Sequence, residues 1–215
     1  MGANQILLNW AGEQSAIAGL IMLAGGAFLL LQGFRFAKFA LMLGSAAVGY
    51  GLGGVLGAMF GLPPALASVG AAALLGLAAV RAYRFGLAVM SISTFAVALF
   101  LFCDQLDAGR AGCMLGLMIG AGFGFTLLWV MVGSLTALVT AINGASLAVL
   151  GFVALSSTIL PGMGRTFVDT AIELPLMIPA LIAVVTVTGF TYQSNALQGS
   201  IITGSLRSES PVALR

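Results

Sequence analysis

Glu173 is the ionisable residue best placed for chemistry. It sits in Thr170-Ala171-Ile172-Glu173-Leu174-Pro175-Leu176-Met177-Ile178-Pro179, an apolar run interrupted by two prolines. A carboxylate held there could bind a cation or carry a proton, with carbonyls freed by Pro175 and Pro179 as further ligands. The competing reading puts Glu173 in the first turn of a helix at the membrane interface, favoured by the helix dipole and paired with Arg165. Asn143, polar within another apolar segment, joins Glu173 as a candidate ion or proton site. Asp104, Asp107 and Arg110 fill a loop flanked by Cys103 and Cys113. Two carboxylates at that spacing are too few for a metal site, so a solvated loop is expected. The two cysteines either form a disulfide in an oxidising compartment or remain free thiols in apolar surroundings. Ser91, Ser93 and Thr94, and again Ser156, Ser157 and Thr158, could line a polar path or could bond to carbonyls one turn back and to neighbouring helices.

Much chemistry is excluded by what is missing from the sequence. There is no histidine, so the usual general base and the commonest metal ligand are absent. Lys38 is the only lysine and opens the second apolar segment, where it cannot serve as the Schiff-base lysine of a seven-helix retinal protein. The serines have no positioned base, and the glycine-rich stretches lack the following Lys-Ser or Lys-Thr of a phosphate-binding loop. A non-enzymatic protein with no cofactor and no metal is expected.

The elements that must hold these residues are membrane helices. Hydrophobic residues make up 60% of the 215 and charged residues 7%, against roughly 25% charged in a soluble domain. Apolar segments run over about 15–34, 36–60, 64–80, 83–103, 111–134, 136–160 and 170–192, each close to the length that crosses a bilayer. An all-α polytopic bundle of about seven spans follows. The boundary at Gly133 to Thr136 carries no charge and is the weakest; merging across it would leave six. Residues 1–14 form an extracytoplasmic segment without a basic n-region, so a cleaved signal peptide is not expected, and Ile6 breaks the myristoylation pattern.

With the N-terminus outside, inner loops and tail hold Arg35, Lys38, Arg81, Arg84, Arg207 and Arg215, and outer loops hold Arg110 and Arg165. The positive-inside rule then places the C-terminus in the cytoplasm, in an inner or plasma membrane. Residues 193–215 read as a partly disordered cytoplasmic tail. The net charge of +2, without a dense basic cluster, suggests neither nucleic acid nor a polybasic lipid-binding tail.

Two glycine stripes dominate the spans. Gly49, Gly53, Gly57 and Gly61 follow Ser45 at four-residue intervals, and Gly112, Gly116, Gly120 and Gly124 repeat the spacing. Small residues at i and i+4 let helix backbones approach closely, and in lipid that packing replaces a hydrophobic force. The stripes therefore pack helices, within one chain or between chains, or else line a narrow pore. A shift of 75 residues places Arg35 on Arg110, Gly49 on Gly124 and Tyr50 on Phe125, the signature of an inverted repeat of three plus three helices with one left over. A separate echo links Gly26-Ala27-x-Leu29-x-x-x-Gly33-Phe34 to Gly144-Ala145-x-Leu147-x-x-x-Gly151-Phe152 and does not fit that shift.

The first span ends in Leu29-Leu30-Leu31-Gln32-Gly33-Phe34-Arg35-Phe36-Ala37-Lys38. Leu43-Gly44, Gly49 to Gly54, and Thr140-Ala141-Ile142-Asn143-Gly144-Ala145 follow. With seven spans, this arrangement resembles the TM7S3/TM198-like family over most of residues 15–192. The resemblance implies a seven-helix membrane protein, some of whose animal relatives are tied to signalling scaffolds, and it brings no catalytic residues. The expected function is that of a scaffold or subunit of a membrane assembly, a homo-oligomer or a complex with other membrane subunits. The alternative is a small channel or transporter working through Glu173.

Overall fold

The computed structural model describes residues 3–130, 132–174 and 176–208, all but the turns of them helical. Pro175 and residues 209–215, including Arg215, lie outside the described residues, as do the side chains of Arg165 and Arg207. In chain order the helices are α1 (Ala3–Gly12), α2 (Ala16–Gln32), α3 (Ala37–Met59), α4 (Pro64–Arg81), α5 (Tyr83–Gln105), α6 (Gly109–Val130), α7 (Val132–Ile159), α8 (Pro161–Glu173) and α9 (Met177–Ser208). Six of them, α3 to α7 and α9, are long and apolar enough to cross a membrane, and α2 is a shorter apolar helix of 17 residues. The chain is an integral membrane protein by this architecture.

The helix ends follow local chemistry. Ser15 caps α2, its hydroxyl accepting from the Ala18 amide at 3.3 Å. At the end of α3, Gly61 takes φ +68° and lets the Leu62 amide reach back to the Gly57 carbonyl at 2.9 Å. That is a Schellman closure, which satisfies a terminal carbonyl and needs a residue free of left-handed strain. Pro64 then opens α4, where its missing N–H costs nothing. Asp107 (φ +50°) and Gly109 (φ +66°) turn the chain between α5 and α6.

Two boundaries differ from the sequence expectation. Gly133 to Thr136 form no turn: all four residues lie inside α7, which is helical from Val132. Leu135 and Thr136 are buried there, so interhelical packing, invisible in a run without charges, continues the helix. The stretch expected as the start of the seventh span is instead the end of α8, which closes at Glu173 before α9 begins at Met177. At the other end α9 stays helical through Ser208, well into the stretch read as a tail.

The centre of the bundle is α7, half of whose apolar stretch is buried, against about a sixth for α4. One apolar cluster joins Leu8 and Ala11 of α1, Val149 and Val153 of α7, Ala171 of α8 and Ile178 of α9. The other joins Leu41 of α3, Leu87 and Met90 of α5, and Leu135 and Val139 of α7. Around this core the closest helix pairs are α3 with α4, α5 with α6, and α2 with α7.

Candidate functional site: the helix-pairing faces

Both glycine stripes are filled by helices of the same chain. A Cβ added at Gly49 would stand 2.5 Å from the Ala71 carbonyl oxygen, one at Gly53 2.8 Å from Ala71 Cβ, and one at Gly57 2.7 Å from Ala67 Cβ, all on α4. On α6, a Cβ at Gly116 would lie 2.7 Å from Cys103 Sγ and one at Gly124 2.6 Å from the Ser91 carbonyl oxygen. At Gly120 it would run into the Phe95 carbonyl. These spacings leave no room for a methyl group, and most of the opposing atoms are backbone. The stripe members at the ends behave differently. Gly61 faces open space and serves as the cap described above, and Gly112 meets only Ala108, the residue just before its own helix. Ser45 continues the α3 stripe as a fully buried residue whose hydroxyl has no hydrogen-bond partner among the described residues.

The two halves of the chain use their stripes differently. α3 presents its glycines to the helix that follows it, α6 to the helix that precedes it. The 75-residue shift that lays α3 on α6 would lay α4 on α7, yet α6 is filled by α5.

A third pairing face carries glycines on both sides. Gly19, Gly26 and Gly33 recur every seven residues along α2 and its end, opposite Gly151, Gly144 and Thr140 of α7. A Cβ at Gly26 would strike the Ala148 amide and lie 2.6 Å from the Gly144 carbonyl oxygen. One at Gly151 would lie 2.8 Å from the Gly19 carbonyl oxygen, and one at Gly33 2.8 Å from Thr140 Cβ. These are the two segments whose sequences echo each other around Gly26 and Gly144. The echo records two faces of one contact rather than a repeat of the fold. Its signal was in the sequence as a seven-residue period, the spacing that keeps one face toward a partner over several turns.

Hydroxyl and amide groups bolt the pairs together. Ser91 Oγ donates to the Gly124 carbonyl at 2.7 Å, locking α5 to the glycine face of α6. Asn143 donates to Thr94 Oγ1 at 2.9 Å and to the Val139 carbonyl at 2.8 Å, so both amide hydrogens are held by protein acceptors joining α7 to α5. Ser93 and Ser156 bond to carbonyls of their own helices. Thr158 stands between its own helix and the Gln14 carbonyl. Ser157 borders a cavity described below.

Gln193 was not among the expected site residues, because its neighbours are polar and read as tail. It is 2% exposed, and its amide donates at 2.9 Å to both the Leu29 and the Leu30 carbonyls of α2. Leu30 is among the last four carbonyls of α2, which lack intrahelical partners, so α9 caps α2 from the side. The Thr140 hydroxyl lies 3.2 Å from Gln193 Oε1 and completes a three-helix clamp where Gly33 lets the chains meet.

Glu173 is the last residue of α8 and is exposed. It stands at a helix C-terminus, before the span rather than within it, and the dipole there does not favour a carboxylate. Thirty residues separate it from Asn143 along the chain, and the two stand on different helices, α8 and α7. Cys103 and Cys113 are free thiols. A cavity of about 370 Å³ lies where α1, α7 and α8 meet, bordered by Asn9, Glu13, Ser157 and Asp169. Another, of about 380 Å³, lies at the α2–α3 turn, bordered by Arg35, Lys38, Phe36, Phe39 and Tyr83. Neither includes Glu173 or Asn143.

No family model, curated protein or solved structure matches the chain.

Proposed function

We propose that the chain is a non-enzymatic seven-span membrane protein that serves as a scaffold or subunit of a membrane assembly. α2 is the seventh span: 17 helical residues rise about 25 Å, the lower limit for crossing the hydrocarbon core. One observation carries the reading. The polar groups inside the bundle that could have handled an ion, Asn143 and Gln193 above all, spend their hydrogen bonds on holding helices together. Because the glycine stripes are also used within the chain, assembly with a second copy or another subunit falls to the outward apolar faces of α4 and α6. Leu66, Leu74, Leu77, Met118 and Ile119 are exposed there. The kinship with the TM7S3/TM198-like family belongs to this proposal. So does the orientation with α1 and α8 outside and Arg35, Lys38, Arg81 and Arg84 in the cytoplasm.

Extraction from the native membrane into polymer-bounded discs, followed by mass measurement of the particle, tests the assembly. Particles holding more than one polypeptide are expected; discs with a single chain and no partner would overturn the scaffold reading. Transport through Glu173 is tested separately in liposomes, where Glu173→Gln is expected to leave any ion flux unchanged.

A further inference from the structure

The turn between α2 and α3 gathers a different kind of site. Arg35 and Lys38 border the cavity of about 380 Å³, and both are exposed, with no ion-pair partner among the described residues. The first turn of α3 adds two more donors. Its N-cap, Phe36, offers no side-chain acceptor, and the first helical bond runs from Ala40 to the Phe36 carbonyl. The Ala37 amide bonds weakly to Phe34 at 3.3 Å, which leaves the Lys38 and Phe39 amides without acceptors among the described residues. Two basic residues and the uncapped first turn of α3, the positive end of its helix dipole, thus border one cavity, an arrangement suited to a phosphate.

The walls of that cavity are aromatic. Tyr83 closes one side, fixed by a 2.6 Å bond from its hydroxyl to Thr136 Oγ1, which itself donates to the Val132 carbonyl. Phe36 and Phe39 are about half exposed, and Phe36 stacks on Phe28 of α2 at 5.1 Å between ring centres. The aromatic surface therefore continues from the cavity down the side of α2 toward the bilayer core, along the course an acyl chain would take. We infer that the α2–α3 turn binds the phosphate headgroup of an anionic phospholipid, held by Arg35, Lys38 and the α3 amides, with its chains lying over Phe28, Phe36 and Phe39. Basic pockets at the membrane surface recognise lipid headgroups in this way. The site does not depend on the scaffold reading, since it needs only a membrane-embedded chain.

Native mass spectrometry of the full chain released from nanodiscs of mixed phosphatidylglycerol and phosphatidylcholine reads the site directly. The wild type is expected to retain phosphatidylglycerol in preference to phosphatidylcholine. Arg35→Gln with Lys38→Gln is expected to lower that retention by about 30-fold, as two lost basic contacts would. Arg110→Gln, in the first turn of α6 at the opposite end of the bundle, should retain it as the wild type does. The charge-conserving pair Arg35→Lys with Lys38→Arg keeps the attraction and should restore most of the retention, which separates loss of the site from loss of the fold. Inorganic phosphate at millimolar concentration forms the other arm. If it raises the thermal stability of delipidated protein while phosphatidylglycerol does not, the site serves a free phosphate and the lipid assignment fails. Equal retention of the two lipids, or undiminished retention by the double Gln variant, would likewise overturn it.

Discussion

The α2/α7 pair and the two glycine hairpins, α3/α4 and α5/α6, solve the same packing problem with different periods. In the hairpins one helix carries glycines every four residues and its partner supplies alanines or bare carbonyls. Four residues advance about 400° around a helix, so such a stripe slides around its axis by about 40° per step. The α2/α7 pair uses glycines every seven residues on both members, a spacing that drifts by only about 20° and in the opposite sense. The hairpins join neighbours in sequence that short turns hold together. The α2/α7 contact joins segments more than a hundred residues apart, where no short turn holds them. The two-sided glycine face thus occurs where the chain offers no tether, and it is anchored on the most buried helix of the bundle.

The largest test of that contrast lies on α2. Gly26→Leu must displace Ala148 and Gly144 backbone, and α7 cannot retreat because α5, α8 and α9 pack against it elsewhere. Destabilisation of about 3 kcal/mol or more is expected, the upper end of overpacking. It would appear as loss of monodisperse protein in mild detergent. Gly25→Leu is the matched control, because a Cβ there meets nothing within 4 Å. Equal behaviour of the two variants would mean that α2 and α7 are not in close contact.

In the hairpins the expected loss is smaller. Gly120→Leu collides with the Phe95 backbone, yet α6 lies at the edge of the bundle and can shift toward lipid. About 1–3 kcal/mol is expected in thermal unfolding, with little change for Gly122→Leu, which faces open space. The folded fraction of Gly120→Leu should keep the wild-type particle size, because the stripe works inside one chain. A smaller particle would return the stripe to the interface between chains.

Gln193→Leu tests the clamp that seals the α2/α7 pair. It leaves the Leu30 carbonyl without its donor in a buried setting, for an expected loss of about 1–2 kcal/mol. The Thr140 hydroxyl donates to the Thr136 and Ala137 carbonyls, which lie inside α7 and keep their helical amide partners without it, so Thr140→Val should cost less than Gln193→Leu. The reverse order in thermal unfolding would shift the clamp from Gln193 to Thr140.

What the sequence displayed and what it concealed divide along the same line. The spans were legible because lipid demands long apolar runs, and helix ends at Gly61, Pro64 and Gly109 were marked by residues with restricted or permissive backbones. The four-residue stripes were legible as close-packing faces, but not their partners, since a glycine names the space it leaves and not the helix that fills it. The seven-residue glycines of α2 surfaced only as an unexplained echo. Gln193 was hidden by polar neighbours, and Glu173 was misplaced because an apolar flank is shared by a span and by a short helix such as α8. The pairing of Arg35 and Lys38 with uncapped amides required the turn geometry after Gly33, which no residue type announces.

The finest distinction between the hairpins is a single hydroxyl. α5/α6 has the Ser91 bond to the Gly124 carbonyl across its glycine face. On the glycine stripe of α3 the buried Ser45 hydroxyl finds no partner among the described residues. Ser91→Ala is therefore expected to cost about 0.6 kcal/mol, the typical worth of an interhelical hydrogen bond in a membrane. Ser45→Ala removes an unsatisfied group and should be neutral or slightly stabilising, because burying an unpaired hydroxyl is itself unfavourable. Thermal unfolding of the two variants side by side decides it. If both lose stability alike, Ser45 has a partner in the folded protein and the two hairpins are locked in the same way.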